Sequence, residues 1–195
     1  MKKLYFFDFD GTLTYKDTMF LFLKFYNPTQ FNFQFLKHTP LFVLLKLKLA
    51  NPEKIKKSFI SSILKGQTKN KIESKAQDFF DQYYPKIIRE NALDFIKNID
   101  RENTESYLVT ASLDIWVKPF AEKFNMNLIA TNAEFLNNIF TGNFVSKNCN
   151  GIEKLHRIKV AISDKKYDKT ISFGDTNGDK EMLKWSNEGH FKFFH

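Results

Sequence analysis

Cysteine is almost absent from this 195-residue chain, and the sole example, Cys149, excludes an internal disulfide framework. A reducing compartment is the expectation. Arginine is nearly as scarce: Arg89, Arg101 and Arg157 are the only three among 30 basic residues. The formal charge of +8 would by itself raise nucleic acid or an anionic surface as partner. Paired recognition of phosphates and bases favours arginine, however, so a charge carried by lysine points away from nucleic acid. The four histidines, His38, His156, His190 and His195, show no metal-ligand spacing, which argues against zinc. No secretory leader is visible, because only four apolar residues follow Lys3 before Asp8 interrupts them. A cytoplasmic protein, free of repeats and low-complexity linkers, is expected.

What is present is apolar bulk, with 43% hydrophobic and 16% aromatic residues, ample for one domain or a core domain with a modest insertion. Residues 3–9, KLYFFDF, read as a buried strand. From about 17 to 100 the pattern turns helical. DTMFLFLKFY has Asp17 or Thr18 as its cap, and NPEKIKKSFISSILKG runs from Asn-Pro to Gly66. KNKIESKAQDFFDQYY follows, and PKIIRENALDFIKNID opens a further helix on Pro85. Residues 31–35, FNFQF, alternate with period two and fit strand or helix. Beyond 104 strands and helices alternate, with a hairpin signature around Asn137-Asn138. That rhythm predicts an α/β fold with a parallel sheet. Residues 1–14 and 86–195 would form the core and 15–85 an inserted helical cap. Trp116 and Trp185 read as packing residues on amphipathic helices, and Cys149 as a packing residue in a loop.

Ligands of open α/β sheets bind beyond the carboxyl ends of the strands. Three predicted strands end there in polar signatures: DFDGT, VTAS and FGDTNGD. In extended chain, positions i and i+2 share a face, so Asp8 and Asp10 point one way while Phe7 and Phe9 pack the other. Gly11 allows a tight exit. If these ends are neighbours, Asp8, Asp10, Asp175 and Asp179 converge, and repulsion among them calls for a counter-ion. A hard divalent cation such as Mg²⁺ suits such oxygen donors. A single DxD would more simply be a solvated loop or a helix cap. Three such signatures in order are not explained that way.

DFDGTLT, VTAS, a later lysine and GDTNGD together resemble the four motifs of the haloacid dehalogenase-like hydrolase superfamily. The insert resembles the family's class-one cap, and residues 127–158 look like subclass IB. That branch contains phosphoserine phosphatases and phosphatidylglycerophosphatase C. The resemblance implies a Rossmann-like core and a Mg²⁺-dependent phosphatase working through an aspartyl-phosphate. Asp8 would be the nucleophile and Asp10 the general acid and base. Thr110, assisted by Ser112 and by backbone N–H groups near Gly11 and Ala111, would hold the phosphoryl oxygens. Lys154 would neutralise charge on nucleophile and phosphoryl, with Lys147 as the other candidate. Asp175, Asp8 and the Asp10 carbonyl would hold Mg²⁺, and Asp179 would support the metal or the lysine. A phosphomutase on the same residues, or an idle binding module, are the competing expectations.

The cap decides the substrate. Asp17 stands where subclass members place an acid toward the substrate, and a helix N-cap is the equal alternative. The absence of a cap arginine speaks against phosphoserine. A phosphorylated small molecule or a phospholipid headgroup phosphate is expected. Residues 39–50, TPLFVLLKLKLA, are apolar around a whole helix yet too short to span a bilayer. They fit a buried cap helix, a homodimer surface or a peripheral membrane contact.

Overall fold

In a computed structural model the described residues are 2–163 and 166–195. The first strand, β1 (Lys3–Phe7), is central to a five-stranded sheet. Its neighbours are β2 (Thr104–Leu113) on one side and β6 (Lys169–Gly174) on the other. The edges are β3 (Asn127–Thr131) and β7 (Glu188–Phe191), and every pairing is parallel. Burial on both faces explains why β1 reads as an unbroken apolar run. Leu4 and Phe6 pack into one core cluster, Phe7 and Phe9 into the other. Phe7 lies opposite Phe173 in register, and their rings stack at 4.9 Å.

Helices α5 (Glu90–Lys97), α6 (Asp114–Lys123), α7 (Ile152–Ala161) and α8 (Lys180–Trp185) belong to the strand–helix alternation. Pro119 lies inside α6. The expected helix from Pro85 begins only at Glu90. Residues 85–89 instead return alongside the outgoing chain, where Arg89 donates its backbone N–H to Leu13 O at 2.8 Å and Ile87 O accepts from Tyr15. The last strand, β7, is short. It stops at Phe191 because Lys192 takes φ +55° and turns Phe193 and Phe194 onto Phe173 and Phe95.

Between β1 and α5 stand four helices, α1 (Thr18–Tyr26), α2 (Pro28–Lys46), α3 (Pro52–Leu64) and α4 (Lys69–Tyr83). Their starts are capped by Asp17, Asn27, Asn51 and Thr68, each accepting a backbone N–H. FNFQF is helical, part of α2; the four-residue step sets Phe31 and Phe35 on the face toward Phe59, Phe35 still 42% exposed, and Phe33 on the opposite face. Phe59 of α3 is ringed by five side chains of α1 and α2: Phe20, Phe31, Phe35, His38 and Phe42. Phe22 of α1 stacks at 5.2 Å on Trp116 of α6, joining the helical block to the sheet layer.

The hairpin β4 (Ala133–Leu136) and β5 (Ile139–Phe144) turns through Asn137 and Asn138, both left-handed. It is bonded to the α3–α4 link, with Gly66 N–H donating to Phe140 O and Lys69 N–H to Asn138 O. The twist of a two-residue turn demands positive φ at both positions, which asparagine tolerates better than other non-glycine residues. Asn138→Val is therefore expected to lower stability by about 1–2 kcal/mol, and Asn138→Gly to hold or raise it. Urea unfolding of the two variants beside the parent measures both.

Candidate active site

The carboxyl ends of β1, β2 and β6 open into a cavity of about 340 Å³ whose floor includes Asp8, Asp10, Thr110, Ser112, Lys154 and Asp179. Asp8 follows β1 directly and is anchored by its backbone N–H, which donates to Phe173 O. Its side chain is nearly buried. Lys154, on the first turn of α7, donates to Asp8 Oδ1 at 2.8 Å and to Asp179 Oδ1 at 2.6 Å. Lys147 is exposed on the preceding loop, so of the two candidate lysines only Lys154 reaches Asp8.

One ammonium is thus shared by two buried carboxylates, and they divide it unequally. Burial acts first on Asp8 and, with the nearby Asp179 and Asp10 charges, outweighs Lys154; its carboxyl is pushed up to about 7. Burial also works against Asp179, but Lys154 and the Thr176 donors prevail and hold it below the usual carboxylate range. Lys154, desolvated itself, is kept above the ordinary lysine range by the two acids.

Asp10 is fixed by four donors. Oδ1 accepts from the Thr18 backbone N–H at 2.7 Å and the Thr18 hydroxyl at 2.6 Å. Oδ2 accepts from Ser112 Oγ at 2.6 Å and Thr110 Oγ1 at 3.3 Å. The VTAS strand end therefore meets the second aspartate of the DxD pair. Gly11 takes φ +86°, and a Cβ there would lie 2.4 Å from Asp175 Oδ2, so the close approach requires glycine. Its N–H donates to Thr14 Oγ1 at 3.1 Å. The Ala111 carbonyl accepts from Lys56 and from Thr131 at 2.7 Å.

Carboxylate oxygens of Asp8, Asp175 and Asp179 lie within 4.8 Å of one another. Such a cluster of hard oxygen donors fits Mg²⁺. The expected set named Asp10 through its carbonyl; the Asp10 side chain itself is occupied by Thr18, Thr110 and Ser112. Asp179 Oδ2 gathers the N–H groups of Asp175 and Thr176 and the Thr176 hydroxyl, shaping the loop after β6.

Several residues of the site escaped the sequence reading. Thr12 donates to Asp8 Oδ2 at 2.8 Å and lies 3.1 Å from Asp175 Oδ1, and its place inside DFDGT was the available signal. Thr18 holds Asp10, leaving Asp17 as the cap of α1. Arg89 donates to Gly11 O through two nitrogens, at 3.1 and 3.2 Å, and steadies the turn. Lys56 of α3 crosses to the core, donating to Ala111 O and to Asn148 Oδ1 at 3.0 Å. Burial lowers its pKa, opposed by Asp10 and Asp17. Asp17 also lines the cavity; burial, then the Asp10 charge, push its carboxyl up to about 6. No pattern in a lysine-rich helix distinguishes Lys56 from Lys54 or Lys57.

A family model described as haloacid dehalogenase-like hydrolase matches residues 5–184. Protein CicA of Caulobacter vibrioides is 32% identical over 191 residues, covering 96% of this chain and 85% of its own. A protein of unknown function from Bordetella pertussis Tohama I shares the fold at TM-score 0.84 and 18% identity, over 95% of this chain and 87% of that one. A phosphoserine phosphatase in the form of a phospho-aspartyl intermediate analogue does so at TM-score 0.63 and 22% identity, over 97% and 85%.

Asp8 carries a destabilising charge in the protein without divalent cation. Its folded pKa of about 7 lies above the ordinary 3.8, so its stabilising contribution is complete below about pH 4 and lost as pH rises through 7. Asp8→Asn in EDTA should gain about 2–4 kcal/mol at pH 8, the gain shrinking toward pH 4. Thermal and urea unfolding across that range reads the difference.

Proposed function

The chain belongs to the haloacid dehalogenase-like hydrolase family, and from that premise we propose that it is a Mg²⁺-dependent phosphomonoester hydrolase acting through an aspartyl-phosphate on Asp8. The observation that carries this reading is Lys154, buried and ion-paired to a carboxylate on the cavity floor. Residues 1–14 and 86–195 are read as the catalytic core and 15–85 as the cap.

In the first half of the reaction an Asp8 oxygen bonds phosphorus and the ester P–O bond breaks, Asp10 giving its proton to the departing oxygen. In the second, Asp10 takes a proton from water, whose oxygen attacks the same phosphorus; phosphate leaves and the Asp8 carboxylate returns. Lys154 and the Thr110 hydroxyl face the phosphoryl oxygens and offset their developing charge. Ser112 and Thr18 hold Asp10 in line. Asp8, Asp175 and Asp179, with the Asp10 carbonyl, would hold Mg²⁺, which supplies a positive charge against the phosphoryl oxygens and favours the ionised form of Asp8.

The roof of the cavity supports an ester with apolar surface near its phosphate. Met19, Phe20, Phe42, Leu45, Pro52 and Ile55 line it, and Asp17 and Lys56 are its charged members. A phospholipid headgroup phosphate or an apolar small phosphometabolite suits that wall, with Asp17 toward the polar part of the leaving group. A cytoplasmic site of action accords with the free, buried Cys149.

With p-nitrophenyl phosphate and Mg²⁺, steady release of inorganic phosphate is expected. Asp8→Asn should lower kcat by about 10⁴-fold or more, Asp10→Asn by about 10²–10⁴-fold, and EDTA should abolish turnover. Full activity in Asp8→Asn or in EDTA would refute the mechanism. Isomerisation of a sugar phosphate without phosphate release would identify a mutase instead.

A further inference from the structure

Helix α2 is apolar on two opposite sides. Phe31, Phe35, His38, Phe42 and Leu45 face inward, packing around Phe59 or lining the cavity, with His38 set between the Gln34 carbonyl and the Ser58 hydroxyl. Phe33, Leu36, Pro40, Val43, Leu44 and Leu47 recur at three- and four-residue steps on the other side. That outer row is in water: Phe33 is 57% exposed, Leu36 73%, Val43 52%, Leu44 38% and Leu47 59%, and Leu49 beyond it 73%. Residues 39–50 are thus only half buried: Phe42 and Leu45 turn inward, whereas Val43, Leu44, Leu47 and Leu49 are exposed.

A contiguous apolar row of this length on a folded surface marks a contact. Its charge environment identifies the partner. Between Asp17 and Glu53 the chain has no acidic residue, whereas Lys24, Lys37, Lys46 and Lys48 fall in that stretch. Lys37 flanks the row, its ammonium 5.2 Å from the Phe33 ring centre, and Lys46 and Lys48 close its far end. Long lysine stems can lie along apolar surface while their charges reach a polar plane. A two-fold dimer through this face would bring two sets of these lysines together, and the stretch between Asp17 and Glu53 carries no acid to offset them. Among the described residues no helix is long and apolar enough to cross a membrane.

We propose that the outer face of α2 docks on an anionic lipid bilayer, lying in the plane of the headgroups with Phe33, Leu36, Val43, Leu44 and Leu47 turned toward the acyl chains. Each nearby lysine strengthens attraction to anionic lipid by about fivefold, and salt weakens it. Docking brings the cavity, bounded by the inner side of the same helix, to the membrane surface.

Vesicle co-sedimentation of the full chain tests this. Vesicles of phosphatidylcholine with about 30% phosphatidylglycerol should retain the protein, pure phosphatidylcholine far less, and added salt should release it. The triple variant Val43→Ser, Leu44→Ser, Leu47→Ser should lose about tenfold or more in vesicle affinity. It should keep its turnover of a soluble ester, because none of the three residues lines the cavity. Should that variant misfold, Leu47→Trp offers an independent reading: its emission should shift to the blue and be quenched by brominated lipid. No retention by anionic vesicles, retention unchanged in the triple variant, or a dimer in solution that the variant dissolves would each overturn the proposal. Binding is read without turnover, so its failure leaves the phosphatase reading standing.

Discussion

A single buried ammonium holds this site together. Lys154 satisfies a carboxylate at the end of β1 and another in the loop after β6. Neither acid could stay ionised so deep in the protein without it. The arrangement remains short of positive charge: three carboxylates crowd within a few ångströms, and among the described residues one ammonium reaches two of them while the His195 ring stands 3.9 Å from Asp175. Asp179 takes the larger share, and Asp8 is left the more basic group on the cavity floor. Raised basicity of a buried carboxyl is a liability for folding, and a divalent cation would remove it.

Everything else serves to bring those chain ends together. Parallel pairing of β1 with β2 and β6 puts DFDGT, VTAS and GDTNGD on one rim. The aromatic side chains flanking Asp8 in sequence, Phe7 and Phe9, are wholly buried and oppose β6 and α6 through Phe173 and Phe120. Packing on that face presses the polar residues of alternate parity toward the cavity.

What could be read in the sequence was whatever local rules dictate. Strand parity gave Asp8 and Asp10 a common direction; Asn-Pro starts, Gly66 and the Asn137-Asn138 turn marked boundaries where backbone preference is strong. The Pro85 helix failed because its first five residues answer to a distant partner, the chain at Leu13 and Tyr15, which outweighs local propensity. FNFQF was ambiguous for a related reason: α2 is apolar on two sides, so its pattern has no single period. Lys56 and Arg89 act across gaps that the order of residues does not reveal, whereas Thr12 stands inside the DFDGT signature itself. Lys154 could be preferred over Lys147 by family pattern, but only its distance to Asp8 distinguishes them physically.

The two covalent crossings between sheet and helical block lie side by side, bridged at Thr14 and Ile88. Arg89, next in the returning crossing, grips the carbonyl of Gly11, one residue past Asp10. The helical block is therefore joined to the sheet by a paired ribbon rather than by two loose tethers. The returning chain is tied by the Arg89 guanidinium to the turn that carries Asp10. A load on the block would be felt at that turn and also at Ala111 and Asn148, which Lys56 of α3 holds.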